Sequence, residues 1–175
     1  MRFRIVGSRT RASGAIVDFL EVDLEDPSGE IHSRDVIRHP GGVGVLPVLG
    51  DDVVLVRQYR VALDTPLLEI PAGRLEPGED PRVAAERELG EELGMTATLL
   101  DLGALHVSPG YTDEIIHLFA AVDIVAANRE PEGAEEEEAE IVRLPFRDAI
   151  EMVEHGRITD AKTQIALMRM ERSRE

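Results

Sequence analysis

Three carboxylates of this chain stand where they could hold a cation. Glu88, Glu91 and Glu92 lie at i, i+3 and i+4 in the stretch Gly73 to Met95, GRLEPGEDPRVAAERELGEELGM. On a helix that spacing gathers them within a narrow arc of one face. Three like charges there repel, each pair costing on the order of a few tenths of a kcal/mol. A bound cation turns that repulsion into affinity, and clustered carboxylate oxygens suit Mg²⁺ or Mn²⁺. A divalent cation so held would neutralise an anionic substrate and orient a water for hydrolysis.

One helix must present these groups. Pro81 near its start and Gly94 behind it are start and stop signals. Asp80 is the natural N-cap, so the helix is expected over Pro81 to Leu93. Ahead of it, residues 2–6, 14–24 and 31–39 read as strands by their β-branched and aromatic content. They form a small antiparallel unit, too slight to be stable without packing on something else. Apolar runs 44–49 and 53–59 flank Gly50-Asp51-Asp52, a hairpin signal. Leu67 to Ile70 is a short strand that Pro71-Ala72-Gly73 ends. Strands at 97–107 and 114–124 follow the helix, then a polar segment at 126–139 and a strand at 141–144. Two further helices, 146–154 and about 160–172, close the reading. Strands and helices interleave, so the class is α/β or α+β with a mixed sheet.

Composition narrows the partners. A net charge of −16 over 175 residues argues against nucleic acid or an anionic membrane surface. A phosphate substrate would then rely on a metal and a few local arginines. The chain has no cysteine, which excludes disulfides and thiolate metal sites and fits a reducing, cytoplasmic setting. No signal peptide or membrane-spanning run is evident. Lys162 is the only lysine.

Gly73, Glu79, Arg87, Glu88, Leu89, Glu91, Glu92, Gly94 and Met95 match every fixed position of the Nudix box, G-x5-E-x7-R-E-U-x-E-E-x-G-U, where U is a bulky aliphatic. A chance match anywhere in the chain has a probability on the order of one in a million. The chain therefore resembles the Nudix hydrolases, which cleave nucleoside diphosphates linked to another moiety. That resemblance implies an α/β/α sandwich with a mixed sheet at 40–175. It implies Glu88 and Glu92 as main metal ligands, Glu91 sharing or aligning a metal, and the Ala72 carbonyl as an additional ligand. Arg87 resembles the bracing arginine, and Gly73 and Glu79 look structural.

Four further stretches resemble the ADP-ribose pyrophosphatase branch: Val56 to Arg60 leading to Leu68–Gly73, Ser108 to Glu114, the acidic run Glu135 to Glu138, and Gly156 to Thr163. The resemblance implies Mg²⁺-dependent hydrolysis of ADP-ribose to AMP and ribose 5-phosphate. Arg60 would contact phosphate or ribose, Glu114 the terminal ribose, and Pro109-Gly110 would border the substrate. A loop glutamate would be the general base, Glu137 first and Glu135 second. The strands at 1–39 would build a two-fold homodimer, with Phe19, beside Val17, as a candidate for adenine stacking. Other substrates remain open, namely another ADP-sugar, GDP-mannose, NADH or FAD, as does a non-catalytic nucleotide sensor. Plainer readings stand beside these. Arg60 could salt-bridge Glu69 on the neighbouring strand, Glu114 could be a surface charge, and Glu135 to Glu138 a solvated turn.

Overall fold

The computed structural model describes residues 2–131 and 137–174. The chain packs as two compact units, Met1–Gly41 with His106–Ile115, and Gly42–Leu105 with Ile116–Glu175.

In the first unit β1 (Arg4–Ser13), β2 (Asp18–Glu25) and β3 (Ile31–Arg38) form an antiparallel sheet in the order β1-β2-β3. This is the expected three-stranded unit, with two shifted boundaries. Residues 14–17, expected to begin the second strand, instead close the β1–β2 hairpin: Ser13 pairs with Asp18, and the Gly14 amide donates to the Val17 carbonyl at 2.8 Å. The polar stretch after Val6 remains strand because its charges meet opposite charges across the ladder. Arg4 bonds Glu25 at 3.1 Å, Arg11 bonds Glu21 at 3.0 Å, and Arg9 also reaches Glu21. Such exposed pairs are individually weak, but aligned along one ladder they favour one register. The 106–115 segment is tied to β3, where the Ile37 amide donates to the Tyr111 carbonyl at 2.7 Å and Arg38 pairs with Asp113 at 2.9 Å.

The second unit is built on a mixed sheet with the strand order β10-β5-β4-β9-β8. Its members are β4 (Gly42–Leu49), β5 (Asp52–Arg60), β8 (Met95–His106), β9 (Ile115–Ala126) and β10 (Glu140–Pro145). The short β6 (Thr65–Glu69) pairs with β5, and β7 (Ala72–Arg74) with β4. β4 runs parallel to β9 but antiparallel to β5 and β7, so the sheet is mixed as expected. Gly50, at φ +63, allows the tight β4–β5 turn in which Leu49 pairs with Asp52.

Period-two alternation divides the central strands between two cores. Leu46, Val48, Val53, Leu55, Leu118 and Ala120 pack with Phe146 of α2 (Phe146–Glu154) and with Ala166, Leu167 and Met170 of α3 (Ala161–Arg174). Val43, Val45, Val54, Val56, Phe119 and Ala121 pack with Ala84, Ala85, Leu89 and Leu93 of α1 (Pro81–Leu93). With both faces covered, the central strands read as near-continuous apolar runs. The unit is the expected α/β/α sandwich, and among the described residues no helix is long and apolar enough to cross a membrane.

The helix carrying the three carboxylates has the expected bounds. Asp80 caps it by accepting from the Arg82 amide at 2.8 Å, and Pro81 opens it. Gly94 ends it at φ +61, and a Cβ there would stand 2.8 Å from the Arg129 backbone nitrogen. Gly94→Ala is expected to destabilise the protein by at least about 1 kcal/mol from the left-handed backbone alone. A urea melt that leaves the midpoint unchanged would contradict this packing.

Candidate active site

Helix α1 turns its apolar side into the sheet and sets its carboxylates at the border of the core. Glu88 and Glu92 are 4% and 2% exposed, which a pair of surface carboxylates would not be. Glu92 accepts from the Ala72 amide at 2.9 Å. Glu88 lies against Gly73 so closely that a Cβ on that residue would stand 1.8 Å from its Oε1. The glycine at the head of the motif is therefore a steric requirement of the carboxylate, beyond any need of the turn. Pairing of Gly42, Val43 and Gly44 with Arg74, Gly73 and Ala72 holds that backbone in place.

Arg87 organises the acids around it. Its Nη1 donates to Glu88 at 2.7 Å and to Glu91 at 2.9 Å. Its Nε and Nη2 grip Glu79 at 3.0 and 3.2 Å, and Nη2 also reaches the Arg74 carbonyl at 3.2 Å. The hydrogen bonds to Glu79, with the charge of Glu88, raise the guanidinium pKa far above its usual value. Glu79 is held below the usual carboxylate range by Arg87, and secondarily by the Glu76 amide. One planar fork thus joins the loop ahead of the helix to two carboxylates on it.

Arg60 makes the pairing with Glu69 that the plainer reading described. It is bidentate, Nε and Nη2 to the two carboxylate oxygens at 2.7 and 2.8 Å. Hydrogen bonding to Glu69 raises the Arg60 pKa, and the charge of Glu92 adds to it. Burial pushes Glu69 up, but its bonds to Arg60 and Lys162 outweigh this and leave its pKa lowered.

The other expected residues divide between the units. Phe19, Pro109, Gly110 and Glu114 belong to the first. Pro109 and Gly110 lie in the turn in which the Tyr111 amide donates to the Ser108 carbonyl at 3.1 Å. The Glu114 carboxylate is 3.8 Å from His39 Nδ1, and Phe19 pairs with Ile37 across β2 and β3. Glu137 is exposed in the second unit, whereas Glu135 lies outside the described residues.

Several contributors escaped the sequence reading. Arg129 donates from Nε to the Glu92 carbonyl at 2.6 Å, and the Ala127 amide donates to the Gly94 carbonyl at 2.6 Å, so segment 127–129 secures the end of α1. Lys162 reaches Glu69, and the Thr163 hydroxyl accepts from the Ile70 amide at 2.8 Å. No local pattern predicts such contacts, which join residues 93 apart in the chain.

A match to the NUDIX domain model extends over residues 38–164. The chain belongs to the NUDIX domain family. The ADP-ribose pyrophosphatase of Bacillus subtilis is 40% identical over 157 residues, covering 89% of this chain and 85% of that protein. The GDP-mannose pyrophosphatase of Cronobacter sakazakii is 37% identical over 161 residues, covering 85% of this chain and 84% of that protein. A crystal structure of an ADP compounds hydrolase superposes with a TM-score of 0.85 at 26% identity, covering 98% of this chain and 94% of that one.

The donor set fits the divalent cation expected of this Nudix motif. Glu88, Glu91 and Glu92 offer only hard carboxylate oxygens, and Gly73 gives Glu88 room beside the backbone. Gly73→Ala is expected to displace Glu88 and weaken Mn²⁺ binding by about tenfold or more. Titration followed by electron paramagnetic resonance measures this, and unchanged affinity would remove Glu88 from the ligand set.

Proposed function

We propose that this Nudix protein hydrolyses the pyrophosphate bond of ADP-ribose, releasing AMP and ribose 5-phosphate. The observation that carries the chemistry is the buried Glu88–Glu92 pair set against Ala72 and Gly73. The substrate reading is supported by the relative named ADP-ribose pyrophosphatase and by the structural likeness to an ADP compounds hydrolase. Glu88, Glu91 and Glu92, with the Ala72 carbonyl, would hold Mg²⁺, or Mn²⁺ in its place. The cation supplies charge neutralisation for the diphosphate.

This chain's own groups do the rest. Glu137 takes a proton from the attacking water, with Glu135 the second choice for that base. The water oxygen bonds to one phosphorus, the bridging P–O bond breaks, and its electron pair leaves with the other phosphate. Arg60 meets the diphosphate or the adjoining ribose, and Arg87 with Glu79 fixes the carboxylates. Glu114 contacts the terminal ribose, Pro109 and Gly110 border it, and Phe19 stacks on adenine. The partner is a small nucleoside diphosphate derivative rather than nucleic acid or membrane, as the net charge of −16 favours. The cysteine-free composition suits a cytoplasmic enzyme. Hydrolysis of GDP-mannose is the second reading, supported by the relative of that name.

Incubation with Mg²⁺ and a panel of nucleoside diphosphate derivatives tests the substrate. ADP-ribose is expected to be turned over fastest, and faster turnover of GDP-mannose would replace the first reading by the second. Nucleotide binding without any turnover would point to a sensor. Glu92→Gln is expected to lower kcat by at least about a hundredfold with the fold intact. Glu137→Gln should cost far more than Glu136→Gln, and equal losses would remove Glu137 as base.

We further propose residues 1–39 as the dimerisation element of the enzyme, joined to a Nudix domain at 40–175. Phe3, Ile5, Val6, Ile16 and Ile31 are large apolar residues left exposed in the first unit, which supports an apolar contact with a second copy. Sedimentation equilibrium should give twice the chain mass, and Ile5→Glu should shift it to the monomer. A monomeric wild-type protein would refute the dimer.

A further inference from the structure

Apart from the carboxylate helix, the second unit buries another set of charges in a row. Glu69 is 1% exposed and Lys162 is 8% exposed. The Glu69 carboxylate receives Nε and Nη2 of Arg60 at 2.7 and 2.8 Å, and its Oε2 also receives Lys162 Nζ. Lys162 Nζ donates in addition to Asp160 Oδ1 at 3.0 Å. Asp160 is itself committed to the start of α3, its Oδ2 accepting from the Thr163 amide at 2.9 Å and from the Thr163 hydroxyl at 2.5 Å.

The order of charges is Asp160⁻, Lys162⁺, Glu69⁻, Arg60⁺. Side-chain exposure is 2% at Glu69, 10% at Lys162 and 15% at Asp160, and rises to 37% at Arg60. The row thus reaches solvent at its cationic end. A carboxylate held by a single guanidinium cancels much of that guanidinium's field. Shared between two cations, it cannot cancel both. Asp160, which restores neutrality to the row, lies beyond Lys162, and its influence on Arg60 ranks behind those of Glu69 and Glu92.

We propose that Lys162 is a positioning residue for Arg60: by taking a share of Glu69 it leaves the Arg60 guanidinium oriented by two hydrogen bonds yet cationic toward the substrate diphosphate. The inference rests on the role given to Arg60 under the proposed function. It accounts for a buried ammonium in a chain that otherwise uses arginine for every basic position. A compact ammonium can approach one carboxylate oxygen from the side while the planar fork occupies both. Lys162 touches neither substrate nor metal in this scheme and acts only through the carboxylate it shares.

A double-mutant cycle on inorganic pyrophosphate binding, measured by calorimetry without divalent cation, separates this from a structural role. Lys162→Gln keeps a hydrogen-bond donor and removes the charge. It should weaken binding about tenfold, as should Arg60→Ala, and the double variant should be no weaker than Arg60→Ala alone. Lys162→Arg, which keeps the charge, should bind within about threefold of wild type. In turnover, Lys162→Gln should raise KM with kcat nearly unchanged. Should Lys162→Gln not fold, Glu69→Gln/Lys162→Gln, which removes both members of the buried pair, carries the test: with Glu69 neutral it should bind pyrophosphate as Glu69→Gln alone does, and a further loss of about tenfold would overturn the proposal. Independent, multiplying losses, or a lowered Tm with pyrophosphate affinity unchanged, would overturn the proposal. Wild-type protein that binds no pyrophosphate would overturn it as well. Intact coupling in a protein that hydrolyses no ADP-ribose would instead refute the substrate reading and leave this one standing.

Discussion

The close approach of the Glu88 carboxylate to the backbone at Gly73 is the contact on which the candidate site depends. It demands that helix α1 and strand β7 lie nearer than any side chain at that position would permit. Everything around it maintains this distance. The apolar side of α1 packs into the sheet through Ala84, Ala85, Leu89 and Leu93, two of them alanines that allow close packing. Arg87 ties the helix to the preceding loop through Glu79 and the Arg74 carbonyl. At the other end Gly94, Ala127 and Arg129 hold the last turn. The helix is fixed at both ends and along one side, as a rigid ligand set requires.

Two kinds of acidic environment result from this arrangement. Glu79 is saturated by a guanidinium and a backbone amide, and its negative charge is spent on structure. Glu88 and Glu92 are carried into the protein by the helix, where a carboxylate exacts a high desolvation cost unless something compensates it. Arg87 contributes to that compensation at Glu88 and the Ala72 amide at Glu92. A divalent cation would complete it on the proposed reading. On that reading burial serves the site: the same carboxylates in full solvent would hold a cation less firmly.

What could be read from the sequence was what local spacing encodes. The helix bounds, its cap at Asp80 and its stop at Gly94 follow from residues a few positions apart, and they agree with the structure. Alternation in β4, β5 and β9 was hidden because both faces are buried, so these strands were found as apolar runs. Strand β7 escaped because three residues holding a glycine carry no strand pattern; its pairing with β4 defines it. The extension of β1 through Arg9 and Arg11 depends on Glu21 across the ladder, which becomes visible only once the register is known. The stretch Gly156 to Thr163 was singled out by resemblance, but the contacts of Lys162 and Thr163, like that of Arg129, were missed for the same reason at longer range.

The anchoring of Ile70 by Thr163 spans 93 residues, and the link from Glu69 to Lys162 spans as many. Closing so long a loop is slow relative to forming a helix or a hairpin, because chain entropy must be lost before the contact repays it. During synthesis the carboxylate helix leaves the ribosome well before α3 does. In that interval the strand end ahead of Ala72 lacks its tether, and of the two cations that hold Glu69 among the described residues Arg60 alone has been made. The order of synthesis thus delays the finished geometry until α3 docks, so a nascent chain carries the carboxylate helix before the strand leading to it is secured.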